Sequence, residues 1–169
     1  MARVAFMTIG IMHGLEDDPR EKGMLDRVDA NFAAAAANRG FIWRSEDDPA
    51  EGDPWGMRFR PAVFAAEEYA GRLAPTLSLW QDIESVFEFS YQGLHAEALS
   101  HRKEWFIKTQ WPVYVAWWVE DNHIPTWQEA YARYDRFCRE GASPDCFDFK
   151  RSFDADGQPV KLDRKSHLH

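Results

Sequence analysis

The segment 113–119 (Val-Tyr-Val-Ala-Trp-Trp-Val) constrains the fold most, because it carries no charged side chain on either of its alternating faces. As a strand, it would point its three valines and Trp117 to one side, and Tyr114, Ala116 and Trp118 to the other. An antiparallel sheet with one face in water normally shows a polar set on that face. This strand has no such set, so both faces of its sheet need cover.

The order of the other elements predicts which sheet this is. Further strands are expected at 4–11, 41–44 and 76–80, with a helix from 19 to about 38 and a helical region at 83–108 broken near Gln92-Gly93. The order strand, helix, strand, strand, helix, strand is that of the split βαβ, ferredoxin-like fold. We therefore predict an α+β protein whose antiparallel sheet has helices on one face.

An extra helix follows this pattern. Thr126-Trp127-Gln128-Glu129 is a capping box that opens it, and Gly141 ends it. We assign residues 1–150 to a single domain, with an insertion near 55–72, and residues 151–169 to a C-terminal tail.

The sheet face away from the two main helices is apolar, and it can be covered in two ways. The sheet of a second copy would cover it in a homodimer, which is the arrangement that we favour. In the alternative arrangement, the C-terminal helix and tail of the same chain fold over that face.

The net charge and the cysteine content restrict the kinds of partner and metal site that we expect for this chain. The net charge is −8 and the pI is about 5.2, which argues against binding to nucleic acid or to anionic membranes. The two cysteines, Cys138 and Cys146, form no Cys-x-x-Cys pair, and no histidine spacing completes a zinc set. No segment reaches the roughly 18 apolar residues of a membrane span. We expect a cytoplasmic protein without a bound metal.

Several motifs together carry a family resemblance. They are Gly40–Arg44 after a helix with Asn31, Ser78-Leu79-Trp80, His95 with Trp105-Phe106, Ala116–Val119, Pro125–Ala130 and Phe147-Asp148-Phe149. On these motifs the chain resembles an uncharacterised domain family that is similar to the antibiotic biosynthesis monooxygenases of the dimeric α+β barrel superfamily. The resemblance covers nearly the whole chain and departs from the pattern at Trp55–Arg72.

The resemblance implies a homodimeric α+β barrel and leaves the activity open. The superfamily contains cofactor-free oxygenases, haem enzymes, decarboxylating and isomerising enzymes, and binding proteins without catalytic activity. A fold of this kind does not determine the chemistry.

His95 and Arg102 are the leading candidates for chemistry. On a continuous helix they would lie two turns apart within one apolar arc, where a buried cation needs a partner. In the functional interpretation, His95 acts as acid, base or ligand and Arg102 holds a carboxylate or an oxyanion. In the structural interpretation, His95 binds backbone and Arg102 pairs with a carboxylate of the fold.

The other candidates are polar or aromatic residues on the predicted strands and first helix. Asn31 lies at the edge of the helix's apolar stripe, and the resemblance suggests that it helps to hold a substrate. Ser78 and Trp80 share one strand face, and Trp43 and Trp118 complete the predicted substrate contacts, although such aromatics more often belong to the core.

These residues support three functions. The first is an enzyme of the antibiotic-biosynthesis-monooxygenase type, which acts on an apolar or aromatic molecule without a flavin or other cofactor. The second is a haem protein or haem enzyme, with His95 as the iron ligand. The third is a non-catalytic dimeric binding protein, in which His95 and Arg102 only stabilise the fold.

Overall fold

The fold is built on a four-stranded antiparallel sheet with the strand order β2-β3-β1-β4. The computed structural model describes residues 1–163, apart from the side chain of Leu94. The strands of this sheet are β1 (Arg3–Ile11), β2 (Phe41–Arg44), β3 (Leu73–Trp80) and β4 (Tyr114–Val119). This order, with every neighbouring pair antiparallel, is consistent with the predicted ferredoxin-like α+β fold.

Helices connect the strands where the sequence predicted them. They are α1 (Lys22–Ala37), α2 (Ile83–Tyr91), α3 (Gly93–Ser100), α4 (Arg102–Trp105) and the extra C-terminal helix α5 (Trp127–Glu140). The predicted break near Gln92 is present, and a second break follows at His101. The N-cap half of the capping box is confirmed, because the Thr126 hydroxyl accepts a hydrogen bond of 3.1 Å from the backbone N–H of Glu129. The Glu129 carboxylate instead accepts from the Trp117 indole N–H over 2.9 Å.

Strand register assigns the side chains to two faces. Phe6 lies opposite Ser78 on β3 and Ala116 on β4, and Thr8 lies opposite Thr76 and Tyr114. Directly opposed residues share a face of the sheet. These residues therefore form one surface, which faces α1, α2 and α3 and is called here the helix-side face.

Helix α1 lies away from the helix-side face. Ala35 is its only buried residue, and the rest of its apolar stripe is half-buried. The helix is instead held at its flanks. The Arg27 guanidinium lies 3.2 Å from the Glu97 carboxylate of α3, and the Arg44 guanidinium of β2 lies 3.6 Å from the centre of the Phe32 ring. An open space remains between the helix and the sheet.

The opposite face of the sheet is covered within the chain. Trp127, Tyr131 and Tyr134 of α5 are buried in one cluster with the alternate residues of β1, β3 and β4, and Trp55 and Phe64 complete this layer. This corrects the reasoning that favoured a second copy, because the C-terminal helix covers that face together with residues 46–72. The segment predicted as an insertion is thus part of the cover.

Hydrogen bonds hold the cover in place. The Trp127 indole N–H donates to the Ser45 hydroxyl over 2.9 Å, and the Trp127 backbone N–H donates to the Trp55 carbonyl over 2.8 Å. The Tyr134 hydroxyl donates to the Pro112 carbonyl over 2.7 Å. These bonds satisfy the polar groups of Trp127 and Tyr134, whereas the buried indole N–H of Trp55 has no partner among the described residues.

The C-terminal segment closes the edge of β4. Phe147 exchanges two backbone hydrogen bonds with Ala116, and the short strands β5 (Ser152–Phe153) and β6 (Pro159–Val160) form a hairpin beyond it. An edge strand with unpaired backbone groups is prone to pair with other chains, and this contact protects part of it. Of the predicted tail 151–169, residues 164–169 lie outside the described part of the chain.

Among the described residues, no helix is both long and apolar enough to cross a membrane.

Tyr134→Ala tests the role of α5 as cover. Tyr134 is fully buried, so loss of its ring and of its hydrogen bond should lower the free energy of unfolding by about 3–5 kcal/mol. Urea denaturation measures this change, with Arg139→Ala on the exposed side of the same helix as the control. Equal stabilities of the two variants would contradict the packing described.

Candidate functional site

A large open cleft lies between α1 and the helix-side face of the sheet. Its volume is about 1960 Å³, and its lining continues round the edge of β2 to Phe59 and Tyr131 on the other side. Helices α3 and α4 close a further side, with His95, Leu99 and Trp105 among the lining residues. Clefts that bind small molecules are commonly about 300–1,000 Å³, so this one has ample room for such a ligand.

Aromatic rings form most of the deep walls. Trp80 packs 5.3 Å from both Phe41 and Phe89, and Phe149 stacks on Phe6 with centroids 5.6 Å apart. Tyr114 packs 4.8 Å from Phe149. Phe41, Phe89 and Tyr114 are half-buried, with Phe6, Trp80 and Phe149 buried behind them. The half-buried rings present an apolar surface that suits an apolar or aromatic ligand.

Gly10 allows Phe106 to form the wall at the other end. A Cβ at position 10 would lie 2.7 Å from two atoms of the Phe106 ring, which is too close for any other residue type without movement of the ring. Backbone pairing holds the Phe106 ring beside Ile11 and Met12. Ile107 donates its backbone N–H to the Ile11 carbonyl, and Met12 and Phe106 form an isolated antiparallel β-bridge.

His95 lines the cleft as a half-buried imidazole. Its Nδ1 lies 3.0 Å from the backbone carbonyl of Ser90, and its ring centre lies 4.7 Å from that of Phe89. Burial lowers the pKa of His95, and the hydrogen bond to Ser90 opposes this shift only in part. The ring is therefore neutral at pH 7. A carbonyl can only accept, so Nδ1 carries the proton and Nε2 has the free lone pair.

Asn31 also lines the cleft. Its side-chain Nδ2 donates to the backbone carbonyl of Arg27 over 3.0 Å. Its Oδ1 is buried and accepts no hydrogen bond from any protein atom in the part of the chain that the structure describes.

Three hydroxyl groups lie on the floor of the cleft. The Thr8 and Thr76 oxygens are 2.6 Å apart across β1 and β3. Ser78 donates to the Phe6 carbonyl over 3.3 Å and accepts from the Trp80 indole N–H over 2.8 Å. Ser78 and Trp80 thus belong to the lining of the cleft, where they are held to each other, and their contact with a substrate stays a prediction.

Arg102 lies at the rim and not in a buried stripe. The helix that was expected to carry it together with His95 is interrupted at His101, and the Arg102 side chain is exposed. The expected buried pair of His95 and Arg102 is therefore absent, because one continuous helical arc does not carry both residues and only His95 is partly buried. Arg102 still belongs to the lining of the cleft.

Trp43 and Trp118 lie outside the cleft. A register shift in β2 places Trp43 on the opposite face, where it packs 5.4 Å from Trp55 and stays 43% exposed. Trp118 is on the helix-side face, but its indole N–H donates to the Phe153 carbonyl over 2.8 Å, under the C-terminal segment. Neither ring is placed to contact a ligand in the cleft.

Thr8, Phe89 and Phe149 contribute to the cleft and were not predicted as site residues. The place of Thr8 could have been predicted from the sequence. Thr8 is two residues from Phe6 on a strand that was correctly predicted, so the two side chains share a face of the sheet. The place of Phe149 could not be predicted, because it depends on the path of the C-terminal segment. No group of three or more metal-binding side chains occurs within residues 1–163.

The comparisons with known proteins give a family and one distant structure. Residues 3–163 match the family described as "Domain of unknown function (DUF3291)". No curated protein matches the chain. A solved structure of Rv0793 from Mycobacterium tuberculosis is similar at 10% identity, over 72% of this chain and 97% of that chain, with a TM-score of 0.45.

His95→Gln should change the pH dependence of stability. The pKa of His95 is lower in the folded protein than its ordinary value of 6.5, so the unfolded chain binds more protons as the pH falls below that value. The wild type should therefore lose more unfolding free energy between pH 7 and pH 5 than His95→Gln does. Urea denaturation across this range measures the difference.

His123→Gln is the control for this experiment, because His123 is an exposed histidine outside the cleft. Because His123→Gln retains His95, it should still lose the unfolding free energy that His95 accounts for between pH 7 and pH 5. Parallel pH curves for the wild type and His95→Gln would show that His95 is not desolvated as described.

Proposed function

This chain belongs to the family described as "Domain of unknown function (DUF3291)", and we propose that it is an enzyme that binds a small apolar or aromatic molecule in the cleft and removes a proton from it. The observation that carries this proposal is the neutral His95 imidazole, whose Nδ1 is bound to the Ser90 carbonyl while the ring lines an aromatic cavity. The reaction that we propose needs no flavin.

His95 is suited to act as a general base. Its Nδ1–H is committed to a backbone acceptor, which sets the tautomer and holds the ring, so Nε2 is the nitrogen that can accept a proton. Because burial lowers its pKa, the ring is unprotonated at neutral pH. A bound ligand would displace water from the apolar walls around the ring, which would strengthen the electrostatic effect of any proton transfer.

The resemblance to the antibiotic biosynthesis monooxygenases extends this proposal to an oxygenase. In that case the deprotonated substrate would be the electron donor and molecular oxygen the second substrate. Asn31, Ser78 and Trp80 would contact the substrate, and Arg102 at the rim would interact only with a part that reaches solvent.

Haem binding is a second candidate, which one observation favours. A histidine that binds a metal usually donates its other ring N–H to a backbone carbonyl or a carboxylate, as Nδ1 of His95 does. The aromatic walls fit a flat macrocycle, and exposed Arg102 and Lys108 at the rim would face its carboxylates. When bound, haem would supply redox chemistry at its iron.

Homodimerisation and a cytoplasmic location stay predictions. The sheet face that was expected to form the dimer is covered by α5, so a dimer would use another surface. Trp43, Met57 and Phe59 are 43%, 65% and 50% exposed and lie on the side of the sheet that α5 covers, which makes this region the proposed contact. Native mass spectrometry would measure the assembly directly.

His95→Gln tests the catalytic proposal. Apolar aromatic compounds that raise the melting temperature of the protein should be incubated with it in air, and products followed by mass spectrometry. The variant should bind these compounds like the wild type but turn them over at least about 100-fold more slowly, as expected on loss of a general base. His123→Gln should turn them over like the wild type. If no compound raises the melting temperature, or if His95→Gln is fully active, the proposal is wrong.

An absorbance spectrum tests the haem candidate. The purified protein should be measured alone and after addition of haem. A Soret band that is lost in His95→Gln and kept in His123→Gln would support haem binding at His95. A wild-type spectrum that equals the sum of protein and free haem would exclude it.

A further inference from the structure

We propose that the cleft binds a neutral carbonyl compound, whose oxygen accepts a hydrogen bond from the hydroxyl pair of Thr8 and Thr76. This inference rests on the proposed function and narrows its substrate class. Three observations support it: the unused hydrogen of the hydroxyl pair, the position of the pair between two aromatic rings, and the distribution of charge around the cleft.

The hydroxyl pair has one hydrogen more than its own contact uses. The two oxygens are 2.6 Å apart, so one hydroxyl donates to the other, and each hydroxyl carries a single hydrogen. Within residues 1–163, neither hydroxyl has another hydrogen-bond partner. A ligand that displaces water from the pair must offer an acceptor to the remaining hydrogen, because a buried donor without an acceptor is costly.

The pair is open to the cleft. Thr8 and Thr76 are half-buried residues of its lining. Two other hydroxyls of the lining, those of Ser78 and Ser90, are buried, and each donates to a backbone carbonyl of the protein. The threonine pair is therefore better placed than either serine to donate to a ligand.

Two aromatic rings flank the pair along β1. The side chains at positions 6, 8 and 10 point to the same side of the strand. Phe149 stacks on Phe6, and the Phe106 ring lies against Gly10. Thr8 is located between these two covered positions. A flat apolar molecule over the hydroxyl pair would therefore lie between the rings of Phe106 and Phe149.

The charges around the cleft favour a neutral ligand. Four arginines of the lining each pair with a carboxylate of the protein, namely Arg27, Arg44, Arg58 and Arg60. The remaining Lys and Arg side chains of the described lining are exposed at the rim, namely Arg102, Lys103 and Lys108. A carboxylate on the floor would lose its hydration without gaining a cation, and a neutral carbonyl avoids this cost.

A carbonyl compound is also the substrate class that the proposed base requires. Abstraction of a proton next to a carbonyl is an established class of enzyme reaction. The electron pair of the broken C–H bond becomes a carbon–carbon double bond, the carbonyl oxygen takes the negative charge, and the proton goes to Nε2 of His95. A hydrogen bond from the threonine pair would stabilise the charge on that oxygen.

Three probes with the same ring system test this preference. Equilibrium dialysis at pH 7 should compare 2-acetonaphthone, 2-isopropenylnaphthalene, in which a CH₂ group replaces the carbonyl oxygen, and 2-naphthoate, which is an anion. We expect the ketone to bind about tenfold more tightly than the alkene, which is the effect of one hydrogen bond that the alkene cannot accept. The carboxylate should bind most weakly.

The double variant Thr8→Val/Thr76→Val assigns the preference to the hydroxyl pair. Valine keeps the shape of threonine and suits a strand, and the variant should bind the ketone and the alkene equally. Thr8→Ser/Thr76→Ser is the matched control, because it keeps both hydroxyls and should keep the preference. The ranking of the three probes by the wild type tests the inference even if a variant folds poorly.

The possible failures are distinguishable. Equal binding of the ketone and the alkene, tightest binding of 2-naphthoate, or an unchanged preference in folded Thr8→Val/Thr76→Val would overturn this inference and leave the proposed binding cleft intact. The last of these results would show that the pair only joins β1 to β3. Absence of binding by all three probes would overturn the proposed function and this inference with it.

Discussion

The packing of α5 and residues 46–72 onto one face of the sheet is the contact on which the rest of the structure depends. Trp127 links three parts of this layer, because its side chain binds Ser45, its backbone binds Trp55 and its ring packs 5.4 Å from Tyr131. Among residues 1–163, the layer contributes to the larger of two hydrophobic clusters. Since burial of apolar area is the main source of stability, the other face can remain partly open.

The cleft is a consequence of this division. Helix α1 is held at its flanks through Arg27 and Arg44, so its apolar stripe borders a cavity instead of filling it. Such an arrangement leaves the rings of Phe32, Phe41 and Phe89 only half-buried, at a cost in stability. Functional sites commonly show costs of this kind, and the neutral His95 and the orphaned Asn31 oxygen are located in this part of the molecule.

The covered sheet also bears on the family resemblance. In a dimeric α+β barrel the sheets of two chains pack against each other, and that interface requires the face which α5 occupies here. The four-stranded antiparallel core is consistent with the expectation, while the mode of assembly stays a prediction. Fold similarity transfers the architecture of a chain more securely than its partners or its chemistry.

The sequence by itself determined the elements of this protein. The apolar runs at 4–11 and 113–119, the N-cap at Thr126 and the break near Gln92 are local signals, and the structure contains each of them. It also singled out Asn31, Ser78, Trp80 and His95, which line one cleft.

Only the tertiary structure decided what covers each face, where Arg102 lies, and that Trp43 and Trp118 are outside the site. These features depend on a β2 register shift, a second helix break and the path of the C-terminal segment. The register shift and the path of the C-terminal segment arise where β2 pairs with β3 and Phe147 pairs with Ala116. These residues are far apart in the chain, and a pattern of neighbouring residues does not encode such contacts.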